Sequence, residues 1–517
     1  MSLKKLAGET AIYGISSILG RLLNFVLITP FVTLPDVMTP SEYGVVSDLF
    51  FSTAFLIALL VFRLDTAVFR FASRPEYSAQ AVSIRAGKLV GVGILIFLLI
   101  VFLLQHPIAQ WMAYPGRTDY VWLLALVVAT DAFSAIFLAK LRLDQRPWFF
   151  AGVNIVNILV NIVLVYFFLY YVPCWEAEGT ILPWLPVMDS VGYFFVAVII
   201  AAVVKLLLLV IDFIRLQSSR PAQETAKNST FILPPSSQIS SAKKKPKAAS
   251  PSVGTLVTYA APLVIVALAG IVNTLIGPTM IKSFYGETTG TNLYWSGQYG
   301  AAMKLAVFLT LFTTAYNFAA EPFFFRQAGK DPKSADLKIY ASATRAFAWV
   351  CSMAIAGILL LLPLLQYYLG EDLREGLVVL PILLAANFLL GLYYNFAMAY
   401  KLTDRTLLGG GIALVGSAIV LLGNIVFLPH YGILAPAWSG FACFLVMCSL
   451  AYAVSRKYFP VPYPIGRIAL YAGLTAGVVF LGWPLENIWY RIGLLILFGL
   501  GMVGLEWRWL RTVLGSD

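Results

Sequence analysis

The 517 residues are 60% hydrophobic and only 12% charged, with a mean hydropathy of +0.84. A soluble globular protein is about half apolar and a quarter charged, so this composition excludes that class. The net charge of +11 invites comparison with nucleic-acid-binding proteins, but the positions of the basic residues argue against it. Continuous apolar runs of the length that crosses a bilayer recur along the chain, which also excludes a β-barrel. The sequence predicts an all-α polytopic membrane protein.

Fourteen apolar segments are predicted to span the membrane. In chain order they are residues 10–31, 43–64, 87–105, 120–139, 150–172, 187–213, 255–281, 298–320, 345–369, 376–399, 406–428, 433–454, 467–483 and 488–506. The first segment follows two lysines but lacks a small-residue cleavage site, so we expect it to be retained as a helix.

The basic residues follow a pattern that supports this count. With the N-terminus in the cytoplasm, 28 of the 36 Lys and Arg fall at cytoplasmic ends and loops, four in outer loops and four within spans. The outer ones are Arg117, Lys282, Arg374 and Arg491, and those within spans are Arg21, Arg63, Lys205 and Lys304. By the positive-inside rule, both termini are predicted to be cytoplasmic. The basic excess is therefore a topology signal, and no nucleic-acid partner is expected.

One long connection differs from the rest in composition. Residues 216–252 are rich in Ser, Pro and Lys and are predicted to form a disordered cytoplasmic linker. This linker separates an N-terminal six-helix lobe, 1–215, from a C-terminal six-helix lobe, 253–457, and two additional transmembrane helices follow in 458–517. Its KKKPK run could also contact anionic lipid headgroups.

The two lobes are predicted to be copies of each other. At an offset of 256 residues LDTAVFRF faces AEPFFFRQ, which aligns Asp65 with Glu321 and Arg70 with Arg326. At an offset of 259 residues FLAKLRLDQR faces FAMAYKLTDR. Six spans separate the copies, so paired helices keep the same orientation, as in transporters built from two parallel halves. Two matching bundles imply a cleft between them.

Charges within the predicted spans are the candidate functional residues. At 100° per residue, Asp48, Arg63 and Arg70 are predicted to form one polar stripe along the helix of the second span. A charge at mid-bilayer is costly unless it meets a cavity or a partner. The candidate substrate-binding residues are Arg21, Arg63, Lys304 and Asp48. The candidate lobe-internal or gating residues are Asp65, Arg70, Glu321 and Arg326, and Asp65 and Glu321 are expected near Arg142 and Lys401. Simple pairing that locks helices together is the alternative for every one of these charges.

Signatures of enzymatic chemistry are not found in the sequence. It contains no GxxxxGK[ST], HExxH, GxSxG or DxD motif, and its two histidines, His106 and His430, each lie beside a proline. The four cysteines have no metal-ligand spacing. We therefore predict no enzyme, no catalytic residue, no metal and no cofactor, and leave open a coupling to H⁺ or Na⁺.

Several segments resemble bacterial polysaccharide or O-antigen unit flippases of the multidrug/oligosaccharidyl-lipid/polysaccharide exporter superfamily. They are GETAIYGISSILGRLLNFVLITPF, EYGVVSDLFF with VFRLDTAVFRFAS, FLAKLRLDQRPWFF and SGQYGAAMKLAVFLTLFTTAYNFAAEPFFFR. The resemblance implies two six-helix lobes around a central cavity that opens alternately to each side. It also implies a sugar unit on undecaprenyl pyrophosphate as substrate, with Arg21, Arg63 and Lys304 matching the basic cavity residues of the family.

The resemblance further implies a place in the bacterial inner (cytoplasmic) membrane and a role in lipopolysaccharide or other cell-surface polysaccharide biosynthesis. The expected partners are the lipid-linked oligosaccharide and membrane lipids, and the protein is expected to be a monomer that works with polysaccharide-assembly proteins. Two alternatives stay open. A cation-coupled drug exporter would favour an acidic cavity, and an integral glycan polymerase or transferase would need an arginine-rich outer loop.

Overall fold

The computed structural model describes residues 19–72, 74, 76–178, 187–218, 251–286, 288–328, 336–403 and 405–514. Regular structure in these ranges is entirely helical. The helices are α1 (Leu19–Val32), α2 (Pro40–Val61), α3 (Leu64–Ala72), α4 (Ala79–Trp111), α5 (Thr118–Leu143), α6 (Pro147–Trp175), α7 (Ser190–Ser218), α8 (Val253–Leu275), α9 (Gly277–Phe284), α10 (Thr289–Ala328), α11 (Leu337–Leu360), α12 (Leu380–Leu402), α13 (Thr406–Tyr431), α14 (Leu434–Tyr458), α15 (Ile465–Gly482) and α16 (Ile488–Leu514).

Where its residues are described, each predicted span overlaps one or two of these helices, and the all-α membrane fold class is confirmed. Among the described residues, twelve spans are long and apolar enough to cross a membrane, counting α2 with α3 as one: α2–α3, α4 to α8 and α11 to α16. The predicted first span corresponds to the shorter apolar α1, and its residues 10–18 lie outside the described ranges. The predicted eighth span corresponds to α10, a helix of 40 residues that is not among the twelve. The chain is an all-α polytopic membrane protein.

The second predicted span is broken where the sequence predicts a continuous helix. Phe62 and Arg63 have φ values of 49° and 52° and form a turn between α2 and α3. Positive φ is unfavourable for residues with a Cβ, so two in succession end a helix. The equivalent segment of the second half, in α10, continues without a break.

The predicted seventh span, 255–281, is also divided. Helix α8 ends at Leu275, and α9 begins at Gly277 with Pro278 in its first turn. Proline lacks the amide hydrogen that the interior of a helix requires, so it starts a new helix here. As a result Lys282, which was predicted to lie in an outer loop, is on α9 and is buried.

The chain forms two compact units, which differ from the predicted lobes. Unit 1 comprises Met1–Gly20 and Ser52–Leu268, and unit 2 comprises Arg21–Phe51 and Ala269–Asp517. A segment that precedes the predicted linker in sequence is thus grouped by its contacts with the second half. The predicted linker itself lies mostly outside the described residues, so the domain boundaries stay a prediction.

Unit 1 has a core built from small and branched apolar residues. Ala67 of α3, Ala86 of α4, Ala132 of α5 and Leu256 of α8 belong to one buried cluster. A second cluster joins α5, α6 and α7 around Phe150. Small side chains at such positions let neighbouring membrane helices approach closely.

Unit 2 contains the C-terminal helices as well as the segment from α1 and α2. Within it α12 packs against α14, α13 packs against α14, and α9 packs against α10. Ala356 and Leu360 of α11 meet Val478 of α15, which docks the last two helices onto α11. Arg345 of α11 and the buried Glu506 of α16 form an ion pair that supports the same docking.

Candidate functional site

Two of the predicted cations, Arg21 of α1 and Lys304 of α10, lie near one aromatic contact in unit 2. The rings of Phe25 and Phe308 meet edge to face with their centroids 4.5 Å apart. Arg21 is four residues before Phe25 and Lys304 is four residues before Phe308, which is about one helical turn in each case. The contact therefore joins α1 to α10, and each cation lies about one helical turn from the Phe25–Phe308 ring pair.

The segment that follows Arg21 has an unusual local structure. Residues Asn24–Ile28 form a π-helical turn, a feature that is often found at functional sites. The ring of Tyr368 stacks on Phe25 with a centroid distance of 4.5 Å, and its hydroxyl donates to the Phe25 carbonyl oxygen. These contacts fix the orientation of α1 immediately after Arg21, whose own side chain is exposed.

Lys304 is half-buried on α10 and faces α2. Its Nζ lies 5.7 Å from the centroid of the Phe50 ring, a distance that allows a cation–π interaction. No ion pair with Lys304 is found among the residues described. An ammonium group within a predicted span is thus held by an aromatic face rather than by a carboxylate.

Asp48 is the repeat partner of Lys304 in sequence but has a different environment. Its carboxylate is 1% exposed and accepts hydrogen bonds from the Lys282 Nζ at 2.5 Å and from the Thr279 hydroxyl at 2.7 Å. Both donors lie on α9. The charge of Asp48 is therefore balanced within unit 2 by a lysine that sequence reasoning had assigned to a loop.

Arg63 occupies the turn between α2 and α3, belongs to unit 1, and has an exposed side chain. Because the helix is interrupted there, the angular relation of Arg63 and Arg70 to Asp48 no longer follows a rotation of 100° per residue. The prediction of one continuous polar stripe along the second span is wrong for this reason. Over the ranges given above, Arg63 has no ion pair.

The two charges of α3 have local partners. The Arg70 guanidinium lies over the ring of Tyr259 of α8, 4.6 Å from its centroid. The Asp65 carboxylate is 3.5 Å from the Thr66 hydroxyl. The expected neighbour Arg142 lies over the ring of Phe69, 5.2 Å from its centroid.

The corresponding charges of the second half lie on α10. Lys401 of α12 donates to Glu321 at 2.9 Å, which is the contact expected from the aligned repeats. The backbone of Arg326 is helical, but its side chain lies outside the described part of the structure. Whether these residues act in gating stays a prediction.

Sequence reasoning missed several ion pairs between helices. Lys205 of α7 lies 2.6 Å from Asp131 of α5, and Arg146 lies 2.5 Å from Asp212 of α7. The signal available was one acid and one base at similar depth in spans four and six. The sequence did not reveal that these two spans are neighbours.

The result is an asymmetry between acidic and basic residues in the helices, to which Asp65 of α3 is an exception because its contact among the described residues is with a hydroxyl. Asp48, Asp131, Asp212, Glu321 and Glu506 each have a lysine or arginine within 4 Å. Three cations on or beside helices, Arg21, Arg63 and Lys304, have no such acid within the described ranges. Among the charges of the predicted spans that the structure describes, those without an ion pair are therefore positive. Among the residues described, no group of three or more His, Cys, Asp or Glu could hold a metal ion.

No protein-family model matches the sequence, and no curated protein sequence matches it. Similar folds are found among solved membrane proteins. The lipid II flippase MurJ in an inward closed conformation aligns with a TM-score of 0.65 and 12% identity, over 97% of this chain and 99% of MurJ. The MATE multidrug transporter DinF-BH gives a TM-score of 0.59 and 17% identity, over 89% of this chain and 97% of that one.

A third structure, an inward-facing multidrug resistance MATE family transporter of the MOP superfamily, gives a TM-score of 0.56 and 13% identity, over 92% of this chain and 96% of that one. The helices thus have the arrangement of a multi-pass membrane transporter. More particularly, the chain has the fold that MurJ and the MATE transporters of the MOP superfamily share, along nearly its whole length.

Proposed function

We propose that this protein is a flippase that translocates an oligosaccharide linked to undecaprenyl pyrophosphate across the cytoplasmic membrane by alternating access, for cell-surface polysaccharide biosynthesis. The observation that carries the proposal is the positive charge left uncompensated at Arg21, Arg63 and Lys304, while the acids paired above are neutralised. The fold shared with the lipid II flippase MurJ over 97% of the chain supports it.

The chemistry of the substrate explains why such cations would be needed. A pyrophosphate and its sugars cannot enter hydrocarbon without a large desolvation cost, whereas the polyprenyl chain can stay in the lipid. Arginine offers planar bidentate donors to phosphate oxygens, and lysine offers a compact charge. In a site of low dielectric these contacts are stronger than in water.

The test is transport of a lipid-linked oligosaccharide by the purified full chain in proteoliposomes. We expect Arg21→Ala, Arg63→Ala and Lys304→Ala each to lower the transport rate at least about tenfold, because each removes a charge-assisted contact of about 1.5–3 kcal/mol. Lys338→Ala, which removes an exposed lysine from the first turn of α11, is the matched control and keeps the wild-type rate. Wild-type rates from the three variants would refute the site.

A cation-coupled drug exporter is the second candidate, because the MATE multidrug transporter DinF-BH has a similar fold. The pairing of Asp48 with Lys282 disfavours it, since a cationic drug would need a free carboxylate. The two functions are compared in the same proteoliposomes. Uptake of a fluorescent cationic dye, together with no transport of lipid-linked glycan, would favour the exporter.

The remaining features of the proposal rest on the positive-inside pattern and on the resemblance to polysaccharide flippases. The protein would lie in a bacterial inner membrane with both termini in the cytoplasm, and would act as a monomer alongside polysaccharide-assembly proteins, without a cofactor or enzymatic activity. Coupling to H⁺ or Na⁺ is testable in the same vesicles. A rate that changes when the gradient of either ion is dissipated identifies the ion.

A further inference from the structure

A slot on the surface of unit 1 lies between α4, α5 and α7 and has a volume of about 310 Å³. Its walls are apolar and include Ile136, Phe137 and Phe213. It lies near the ends of these helices that the positive-inside pattern assigns to the cytoplasm. The function proposed above does not use it.

Two glycines of α4 form one wall of the slot. A Cβ built on Gly87 would lie 3.8 Å from Ile136, and one built on Gly91 would lie 3.8 Å from Phe133. These are ordinary van der Waals distances, so a methyl group would fit but a larger side chain would fill the space. The slot has an apolar lining and a volume that suit part of a hydrocarbon chain.

Lys88 stands at the slot on the side of α4 that faces lipid. Val92, Leu95 and Leu99 follow it by four, seven and eleven residues, which places each of them within about 40° of Lys88 around the helix axis. These three apolar side chains are 55%, 68% and 56% exposed. A helix face so exposed and so apolar in a membrane protein is in contact with lipid, and Lys88 is the charged residue at its predicted cytoplasmic end.

The charge of Lys88 is not balanced by an acid of the residues that the structure describes. Its side chain is exposed, and it has no ion pair in the part of the chain that the structure describes. The neighbouring Lys140 is paired with Asp144 and is neutralised. Lys88 is nine residues from the start of α4, about 14 Å along the axis, so its ammonium must extend toward the headgroups.

We infer that this slot binds one anionic phospholipid of the cytoplasmic leaflet. An acyl chain occupies the space beside Gly87 and Gly91, and the phosphodiester accepts a hydrogen bond from the Lys88 ammonium. A zwitterionic lipid is disfavoured because its own ammonium competes for the phosphate. Basic pockets between membrane helices on the cytoplasmic side are known to select anionic headgroups.

Native mass spectrometry tests this inference on the full chain released from vesicles of phosphatidylcholine mixed with phosphatidylglycerol. The wild type is expected to retain phosphatidylglycerol in preference to phosphatidylcholine. Lys88→Gln lowers that preference about fivefold, the effect of about 1 kcal/mol per basic residue at an anionic membrane surface. Lys88→Arg preserves it. Lys338→Gln removes the same charge outside the slot and leaves the preference unchanged.

The apolar part of the slot is tested separately. Gly91→Leu fills the space and is expected to lower the retention of phosphatidylglycerol, while Gly91→Ala retains it. Equal retention of both lipids by the wild type, or an equal effect of Lys88→Gln and Lys338→Gln, would overturn the inference. Circular dichroism of each variant checks that it is folded. The result does not depend on transport, so the flippase proposal can fail while this one holds.

Discussion

At the scale of single residues, the buried pair of Asp48 and Lys282 illustrates how burial changes the meaning of a charge. Both side chains are at most 6% exposed, and Thr279 donates a second hydrogen bond to the carboxylate. Two charges removed from water need each other, because the desolvation of either one alone is not offset. Removal of either residue is therefore expected to destabilise the folded protein, whatever other role the two residues have.

We expect Asp48→Ala and Lys282→Ala each to lower the free energy of unfolding by about 3–5 kcal/mol, because each leaves one buried charge without its partner. Thermal unfolding of the purified protein in detergent measures this loss. The double variant Asp48→Leu with Lys282→Met removes both charges and should be closer to the wild type than either single variant. Single variants as stable as the wild type would contradict this description of the pair.

A second cluster of charges lies where α5 and α7 begin, and its members Arg117 and Asp189 precede the first residues of these helices. Arg117 is 2.9 Å from Asp189 and 2.8 Å from Asp119. Burial of Asp189 opposes its ionisation, but hydrogen bonds from Arg117, from the Tyr120 hydroxyl and from the Gly192 amide outweigh burial and lower the pKa of Asp189 from its usual value. The pKa of Arg117 is raised from its usual value, mainly because its guanidinium donates a hydrogen bond to Asp119.

The lowered pKa of Asp189 predicts the sign of a pH effect. A carboxyl whose pKa is lower in the folded state stabilises that state above its unfolded pKa, about 3.9, and this contribution is lost as the pH falls further. We expect the unfolding temperature of the wild type to decline more steeply below about pH 4 than that of Arg117→Gln. Parallel curves for the two proteins would show that the Arg117 contact does not set this pKa.

At the scale of helices, α2 and α10 approach each other through glycines within unit 2. A Cβ at Gly44 would lie 2.0 Å from the Leu293 carbonyl oxygen, and one at Gly297 would lie 1.9 Å from the Pro40 carbonyl oxygen. Backbone atoms cannot move aside as a flexible side chain can. The close approach of these two helices therefore requires glycine at both positions.

We expect Gly44→Ala and Gly297→Ala each to destabilise this packing by about 1–3 kcal/mol, since the added methyl group must push the helices apart. The unfolding temperature gives the size of the effect. Gly290→Ala, on the same helix α10 but with open space around its Cβ position, is the matched control and should leave stability nearly unchanged. If all three variants behave alike, the approach is looser than described.

At the break between α2 and α3, two substitutions of Arg63 distinguish the effect of backbone strain from the effect of the guanidinium charge. The Arg63 φ of 52° is a conformation that glycine adopts without cost and that other residues adopt at about 1–2 kcal/mol. Arg63→Gly and Arg63→Ala both remove the guanidinium, so both should lose transport. Arg63→Gly should nevertheless be the more stable of the two by about 1 kcal/mol in thermal unfolding. A less stable glycine variant would mean that the turn is not strained.

At the scale of the whole molecule, the topology can be tested with the four cysteines of the natural sequence. Cys174 of α6 is exposed, whereas Cys351, Cys443 and Cys448 are buried. The positive-inside pattern assigns Cys174 to the outer side. We expect a membrane-impermeant maleimide to label intact cells at Cys174 and Cys174→Ser to abolish that labelling.

A control defines the opposite side of the membrane in the same experiment. Leu407 is 82% exposed near the predicted cytoplasmic end of α13. Leu407→Cys in the Cys174→Ser background should react only after the membrane is permeabilised. Labelling of Leu407→Cys in intact cells, with protection of Cys174 in the natural protein, would invert the proposed topology.

The amino-acid sequence was sufficient to predict the helical membrane class and the approximate positions of the twelve spans found among the described residues. Apolar runs and the distribution of Lys and Arg are set by transfer from water to lipid, which acts on each segment separately. The expected contact of Glu321 with Lys401 also followed from sequence, because the aligned repeats placed the two charges in spans eight and ten, at the ends predicted to face the cytoplasm.

Packing between segments, in contrast, sets which helices are neighbours and where helices break. The partner of Asp48 is 234 residues away on α9, a helix that exists because Pro278 interrupts an apolar run. The turn at Arg63 requires two residues with positive φ, and neither is glycine. Helix breaks and ion-pair partners of this kind depend on contacts between segments that are remote in sequence. The summed free energy of these contacts outweighs the local backbone preference of each residue. Hydropathy, a property of one segment at a time, contains no information about those contacts.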